Sequence, residues 1–191
     1  MAVASRHDFL ISPEEYLAGE ELSEGKHEYL NGVVYAMAGG SPAHSAIAGN
    51  IYGQLYNQLR RRPCRPFNSD MRLRVRQNAD LRYYYPDVMI VCDPQMIDHW
   101  QDSPAVIFEV LSESTERTDH IEKRAAYFTI PTLAAYVLVD SRKIEAIVYR
   151  RTGDVWDAMA YREVSDVLRL ESAGCELPLA EIYEGTGLLQ A

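Results

Sequence analysis

The clearest hydrophobic pattern in the chain is a four-residue spacing in its N-terminal third. The apolar positions that follow it are Ile47, Ile51, Leu55 and Leu59. A spacing of three to four residues places side chains on one face of an α-helix, so the pattern predicts an amphipathic helix. This helix should be about 18 residues long and end before Pro63, because proline breaks the helical hydrogen-bond ladder.

Three shorter helices are predicted from their start signals and apolar content. Ser12 and Glu15 can form a capping box at the beginning of the first one. Asp119 can cap a second helix over residues 119–129. A short terminal helix is predicted over residues 177–183.

Alternating apolar and polar residues mark a strand after the long helix. Apolar residues at positions 71, 73 and 75 alternate with Arg72, Arg74 and Arg76. A period of two predicts a β-strand with one face toward the core and the other toward solvent.

Three continuous apolar runs predict strands that are covered on both faces. They span residues 86–92, 105–111 and 135–139. Combined with the elements above, they give a core order of helix, three strands, helix and strand. Since no linker or repeat interrupts this order, we expect a single α/β domain over residues 1–191.

Two β-hairpins are predicted near the ends of the chain. Residues 28–35 are centred on Asn31 and Gly32, which suit the two-residue type I′ turn of a hairpin. Residues 144–149 and 156–161 are expected to form an antiparallel pair near the C-terminus.

Length and composition agree with one globular domain in the cytoplasm. The chain has 191 residues, of which 47% are hydrophobic and 25% charged. No apolar run approaches the roughly 20 residues that cross a bilayer, and the N-terminus has no signal-peptide pattern, so we expect no membrane partner. Cys64, Cys92 and Cys175 form no C-x-x-C pair, and we expect them to be reduced thiols.

Charge is distributed unevenly along the chain. The total of −9 argues by itself against a nucleic-acid partner. Between positions 60 and 82, however, eight arginines and two aspartates give a net charge of +6. Arginine binds phosphate through a planar fork of donors, so Arg72, Arg74 and Arg76 are candidates for contacts with DNA. The alternative is a solvated helix end and strand face.

Glu109 interrupts the apolar run of a predicted central strand. A buried carboxylate costs several kcal/mol unless it has a partner, so Glu109 should bind a metal or pair with an arginine such as Arg72 or Arg74. Asp87 opens the preceding strand. If these strands are neighbours, both carboxylates can meet at one end of the sheet and, with the Val110 carbonyl, suit the oxygen coordination of Mg²⁺.

Lys123 lies four residues after Asp119 and four before Tyr127. This spacing places the three side chains on one helix face. Lys123 could form a surface ion pair with Asp119. Beside Asp87 and Glu109, it could instead orient an attacking water or stabilise negative charge on a phosphate.

Five short motifs occur together in an order that is typical of one family. They are Tyr29-Leu30-Asn31-Gly32-Val33-Val34-Tyr35, Ser69-Asp70-Met71-Arg72-Leu73-Arg74-Val75, Tyr85-Pro86-Asp87-Val88, Glu109-Val110-Leu111-Ser112-Glu113-Ser114-Thr115-Glu116, and Asp119-x-x-x-Lys123 with Tyr127. The set resembles the Uma-type family of "putative restriction endonucleases" in the PD-(D/E)XK nuclease superfamily, over about residues 10–185. The resemblance implies a restriction-endonuclease-like αβββαβ core. Helices would flank a mixed central sheet, with an N-terminal hairpin and C-terminal antiparallel strands.

The resemblance also implies an activity, namely Mg²⁺-dependent hydrolysis of DNA phosphodiester bonds, with Mn²⁺ as an alternative ion. Asp87, Glu109 and the Val110 carbonyl would hold the metal, and Lys123 would be the catalytic lysine. The simple superfamily pattern places the lysine two residues after the glutamate. Leu111 stands there in this chain, so the lysine would come from the following helix.

Further residues are predicted to surround the metal ligands and Lys123. Glu28 resembles an additional acidic site residue, and its alternative is a surface charge on the hairpin. Asp70, His44, Asp119 and Tyr127 are candidates for residues that support the metal ligands. Asp70 could instead be a metal ligand or solvate the start of a strand. His44 could be a base, or it could be a helix cap or a packing residue.

The resemblance to restriction-like nucleases implies a homodimer that presents two sites to two DNA strands. An alternative function is a catalytically inactive module that binds nucleic acid or protein on the same fold. A third is a metal-dependent enzyme that acts on a small phosphate ester.

Overall fold

The computed structural model describes residues 10–37, 39–94, 96, 99–113 and 118–190. Its α-helices are α1 (Pro13–Leu22), α2 (Pro42–Leu59), α3 (Arg124–Tyr127) and α4 (Leu179–Ile182). A π-helical segment, Thr118–Lys123, leads directly into α3, and Leu188–Gln190 forms a 3-10 turn. Within the described ranges, no helix is long and apolar enough to cross a membrane.

The strands form three sheets. They are β1 (His27–Leu30), β2 (Val33–Ala36), β3 (Cys64–Asn68), β4 (Arg72–Gln77), β5 (Asp80–Tyr84), β6 (Val88–Cys92), β7 (Trp100–Gln101), β8 (Pro104–Leu111), β9 (Ala135–Asp140), β10 (Ala146–Thr152), β11 (Val155–Tyr161), β12 (Val167–Leu170) and β13 (Cys175–Pro178). The sheet orders are β11-β10-β9-β8-β6-β3, β2-β1-β5-β4-β7 and β12-β13.

The six-stranded sheet is the centre of the fold. β8 and β9 run parallel, while its other neighbouring strands are antiparallel. A parallel pair needs a crossover connection, and the helical residues 118–127 provide it. In chain order, α2, β3, β6, β8, these helical residues and β9 form an αβββαβ core. The predicted mixed α/β fold is therefore confirmed.

The arginine-rich strand that the alternation predicts is present as β4, but it lies in the second sheet. Its expected place in the core order is taken by β3, which the sequence pattern does not indicate. β3 contains Pro66 and forms the edge of the central sheet. Proline is tolerated on an edge strand because its missing N–H does not interrupt the pairing of inner strands.

The long helix has the predicted length and buried face. α2 spans 18 residues, and its buried residues are the four apolar ones that recur every fourth position. They pack against Val88 and Phe108 on one face of the central sheet. On the other face, Met89 and Ile107 pack with Tyr127. Strands β6 and β8 are therefore covered on both sides, as their apolar runs predict.

Both predicted hairpins form, whereas the terminal helix is shorter than expected. Asn31 and Gly32 have φ angles of 50° and 94°, as a type I′ turn requires. β10 and β11 pair in antiparallel register. At the C-terminal end, residues 175–178 pair with β12, so the helical part is limited to α4.

The expectation of three reduced thiols is wrong for two of them. Cys64 of β3 and Cys92 of β6 are register partners in the antiparallel pair and form a disulfide. Cys175 is a buried free thiol. The two bonded cysteines are 28 residues apart and meet only because β3 pairs with β6. Disulfides are rare in a reducing cytosol, and the cytoplasmic location stays a prediction.

Candidate active site

Glu109 is a buried carboxylate on the central strand β8, with 3% of its surface exposed. Its Oε1 accepts a 2.8 Å hydrogen bond from the Tyr127 hydroxyl and a 3.2 Å hydrogen bond from Nζ of Lys123. The two arginines considered as alternative partners, Arg72 and Arg74, bind elsewhere. Arg72 donates to the Tyr85 hydroxyl at 2.7 Å, and Arg74 donates to Asp102 at 2.7 Å.

Lys123 lies among carboxylates from three separate elements. Its Nζ is 3.2 Å from Oε1 of Glu28 on β1, 3.2 Å from Oε1 of Glu109 on β8 and 3.3 Å from Oδ1 of Asp119. The side chain of Lys123 is 9% exposed. The predicted i,i+4 pair with Asp119 therefore exists, but it lies inside the protein and includes two further carboxylates.

The lysine belongs to a π-helical turn. The predicted helix from Asp119 is present, but residues 118–123 are π-helical and regular α-helix is restricted to residues 124–127. A π-helix is wider than an α-helix and occurs frequently at functional sites. Tyr136 of β9 donates a 3.0 Å hydrogen bond to the Asp119 carbonyl, which ties this turn to the central sheet.

Asp87 precedes β6 and approaches the same end of β8. Its Oδ2 accepts a 2.7 Å hydrogen bond from the backbone N–H of Val110. The same oxygen is 3.3 Å from Nε2 of His44, near the start of α2. The backbone of Val110 therefore orients Asp87 between the strand and the helix.

Burial and the excess of carboxylates govern the electrostatics of the cluster. Burial raises the pKa of Glu109 well above its usual range, although the charge of Lys123 opposes this. Burial also raises the pKa of Glu28. For Lys123, burial would lower the pKa, but the Glu109, Glu28 and Asp119 carboxylates outweigh it and hold the pKa well above the usual range. The lysine therefore stays protonated.

His44 also has a shifted proton affinity. Its hydrogen bond to Asp87 raises the pKa of the imidazole, although burial opposes the shift. Gly40 is required beside it, because a Cβ at this position would lie 2.6 Å from Nδ1 of His44. The sequence patterns alone did not predict a role for Gly40. The Gly39-Gly40 pair before α2 is the signal that could have indicated it.

The predicted residues meet around one cavity of about 80 Å³. Its wall includes His44, Tyr85, Asp87, Glu109, Val110, Asp119 and Lys123. Glu28 and Tyr127 contact this set through Lys123 and Glu109. Tyr85 also lines this cavity. It belongs to one of the five sequence motifs, but the sequence did not indicate a role for it in the site.

The chemistry of the donors fits a hard divalent cation. Oε1 of Glu28 and Oδ1 of Asp119 are buried, and among the described residues their polar partner is the Lys123 ammonium. The cluster places several carboxylates against one lysine, and carboxylate oxygens are the ligands that Mg²⁺ prefers. In the described part of the chain, no group of three or more His, Cys, Asp or Glu side chains is arranged to hold a metal ion. The ammonium of Lys123 lies between the carboxylates of Glu28, Glu109 and Asp119.

Asp70 and the arginines of β4 do not line this cavity. Asp70 has a side chain that is 72% exposed and forms an ion pair with Lys26. Arg72 is buried beneath Tyr85, so its guanidinium does not reach the surface as a DNA-contact residue would. Arg74 is half-buried in its pair with Asp102, and Arg76 is exposed.

Comparison with known proteins gives one family and two relatives of similar sequence. The model of the Uma2 family, described as "Putative restriction endonuclease", matches residues 13–180. An uncharacterized protein of Synechocystis sp. (strain ATCC 27184 / PCC 6803 / Kazusa) is 38% identical over 178 residues, which is 92% of each chain. A second from the same organism is 34% identical over 149 residues, covering 76% of this chain and 83% of its own length.

The fold is shared with a solved structure. A crystal structure from Anabaena variabilis ATCC 29413, titled as "a putative nuclease belonging to DUF820", superposes with a TM-score of 0.74. The match covers 92% of this chain and 99% of the other, at 17% sequence identity. At this identity the likeness shows the fold.

Proposed function

This chain belongs to the Uma2 family, described as putative restriction endonucleases, and we propose that it is a metal-dependent endonuclease that hydrolyses DNA phosphodiester bonds. One observation carries the proposal. Lys123 lies 3.2 Å from Glu109, and both line the cavity that also contains Asp87. The three residues named by the sequence motifs thus meet at one end of β6 and β8.

Asp87 and Glu109, with the Val110 carbonyl, would hold the metal, which we propose to be Mg²⁺ or alternatively Mn²⁺. When bound, the ion would stabilise charge on the phosphate and lower the pKa of a water molecule. The hydrogen bonds of Tyr127 and Val110 fix the two carboxylates in position. Preorganised ligands of this kind reduce the cost of reorganisation during the reaction.

Lys123 supplies the positive charge of the protein at this end of the sheet. Because Glu28 and Asp119 help to hold its pKa high, the ammonium stays charged beside the phosphate. A fixed cation stabilises the negative charge that develops on the phosphate oxygens. Glu28 and Asp119 therefore act on the reaction through Lys123, and His44 acts through Asp87.

The direct test is Glu109→Gln, which keeps the shape of the side chain and removes its charge. We expect Mg²⁺-dependent cleavage of plasmid DNA to be abolished while the circular-dichroism spectrum and the thermal unfolding midpoint stay close to those of the wild type. Full activity of this variant would overturn the assignment.

We also propose that the protein is a homodimer and that it is located in the cytoplasm. Sedimentation equilibrium measures the oligomeric state.

The alternative is a catalytically inactive module that binds nucleic acid or protein on the same fold. Two observations favour it: Leu111 stands where the simple superfamily pattern has a lysine, and Lys123 is already paired with the carboxylates. Calorimetric titration with Mg²⁺ and Mn²⁺ separates the two functions. An active nuclease binds the ion at one site, and Glu109→Gln weakens that binding. An inactive module gives no metal-binding heat.

A further inference from the structure

We propose that an unpaired stretch of the DNA substrate lies in a groove along α2, from the carboxylate cavity to the arginines that follow this helix. The inference rests on the proposed function and specifies the path and the form of its substrate. We refer to this feature as the α2 groove.

The α2 groove consists of three neighbouring cavities that share wall residues. The carboxylate cavity shares His44 and Asp87 with a larger cavity of about 580 Å³. This larger cavity shares Tyr52 and Asn68 with a third one of about 360 Å³. A helix of 18 residues is about 27 Å long, so a strand that follows α2 can contact all three cavities.

Unneutralised positive charge lies at the far end of the groove. Arg60, Arg61 and Arg65 line the third cavity and are exposed. In the part of the chain that the structure describes, none of the three forms an ion pair. By contrast, Arg74 is paired with Asp102, and Arg82 with Asp80 and Glu122. Carboxylates thus neutralise Arg74 and Arg82 on the second sheet, whereas the three arginines of the α2 groove have no such partner among the described residues.

Aromatic rings lie between this charge and the carboxylates. Tyr52 and Tyr56 stack on each other with ring centroids 6.1 Å apart and an interplanar angle of 26°. Tyr52 is partly buried against the main core, whereas Tyr56 is 51% exposed. A fixed ring with an exposed neighbour offers a face on which a base can stack. Positive grooves with such aromatic faces are typical of single-strand binding.

Small side chains allow a strand to approach the helix closely. Ser45, Ala48 and Gly49 form the α2 side of the large cavity, and no described atom lies within 4 Å of the position of a Cβ at Gly49. The bases of a duplex are already stacked on one another and hidden from the tyrosines. An unpaired strand therefore uses both the charge and the aromatic faces of the groove.

The test measures binding separately from cleavage. Fluorescence anisotropy with a labelled single-stranded DNA of about 12 nucleotides, and with the matching duplex, is recorded in EDTA over a series of salt concentrations. The variants are Arg61→Ala, Tyr56→Ala, Tyr56→Phe and Arg76→Ala, the last of which removes an exposed arginine of β4 outside the groove. Arg162→Ala is the control, because Arg162 is 65% exposed and follows β11, at the opposite edge of the central sheet from β3.

We expect Arg61→Ala to weaken single-strand binding and to reduce the slope of log affinity against log salt by about 0.7, the value for one phosphate contact. Tyr56→Ala should weaken single-strand binding by roughly fivefold or more, the loss of one stacked base, with little effect on the duplex. Tyr56→Phe, which keeps the ring, and Arg162→Ala should bind as the wild type does.

Three results would overturn the α2 groove while leaving the proposed function in place: unchanged single-strand binding by Arg61→Ala and Tyr56→Ala, an equal loss in Arg162→Ala, or a loss in Arg76→Ala in place of Arg61→Ala. If the wild type binds neither DNA at any salt concentration, the DNA substrate itself is wrong. The proposed function then fails together with the groove.

Discussion

The hydroxyl of Tyr127 donates a 2.8 Å hydrogen bond to Oε1 of Glu109. Both side chains are buried; Glu109 lies on β8, and Tyr127 lies on the helical crossover that connects β8 to β9. The bond therefore holds the carboxylate in one orientation by means of the helix that also supplies Lys123. A proposed metal ligand and the proposed catalytic lysine are thus fixed relative to each other by one helical segment.

Tyr127→Phe removes this hydrogen bond and leaves the ring in place. We expect the free energy of unfolding to fall by about 1–3 kcal/mol, since a buried carboxyl oxygen loses a hydrogen-bond partner, and DNA cleavage to fall with it. Urea denaturation and initial cleavage rates measure the two effects. Tyr183→Phe is the matched control. Tyr183 is equally buried but donates to the Asp140 and Glu145 carbonyls, so stability should decrease without a comparable loss of activity.

Lys123→Met removes the charge from the carboxylate cluster and keeps most of the volume of the side chain. Cleavage should decrease by roughly 10²-fold or more, the cost of losing one charge-stabilising group. Mg²⁺ affinity should stay the same or increase, because a competing cation has left the carboxylates. Removing one partner of a buried ion pair also costs about 3–5 kcal/mol of stability in the absence of metal.

Calorimetry with Mg²⁺ and single-turnover cleavage distinguish the roles of Lys123. If the metal affinity of Lys123→Met collapses while the chemical step is unaffected, the lysine acts as a structural partner of Glu109 and not on the phosphate.

Asp140 gives a prediction about the pH dependence of stability. Burial would raise the pKa of this carboxyl, but the hydrogen bonds from Arg142 outweigh it and hold the pKa below its usual value of 3.8. A carboxyl with a lowered pKa stabilises the fold above the unfolded-state pKa, and this stabilisation is lost as the pH falls through the folded-state pKa.

Asp140→Asn should therefore reduce the free energy of unfolding by about 1–2 kcal/mol at pH 7, allowing for the partly exposed arginine. The difference from the wild type should shrink as the pH falls below about 3.8. Urea unfolding across this range measures it, with the exposed turn residue Asp154→Asn as the control. A difference that stays constant with pH would show that the charge of Asp140 is not involved.

The Cys64–Cys92 disulfide should account for a substantial part of the thermal stability. It closes a loop with a sequence separation of 28 residues, for which loop-closure entropy predicts about 3–4 kcal/mol. Reduction should lower the unfolding midpoint by about 10 °C. Thiol titration of the denatured, unreduced protein should give one thiol per chain. Three thiols per chain would show that the bond does not form in solution.

The sequence predicts many residues of the site because the reactive side chains belong to short motifs that are recognisable locally. Glu109 is recognisable as a charge within an apolar strand, and Asp87 as the start of another. Lys123 follows from its spacing to Asp119 and Tyr127. Their convergence is not readable in the same way, since it depends on which strands are neighbours and on the π-helical turn that carries the lysine.

The sequence by itself determines the long helix, the apolar strands, the hairpin turn and the family, because periodicity and turn chemistry depend on residues that are close in the chain. Only the tertiary structure decides that β3 and not β4 joins the central sheet, that Cys64 meets Cys92, and that Arg72 is buried. These features depend on packing between segments far apart in the chain. A strand with one apolar face can satisfy its own pattern in either sheet, and the choice is made by the free energy of the whole core.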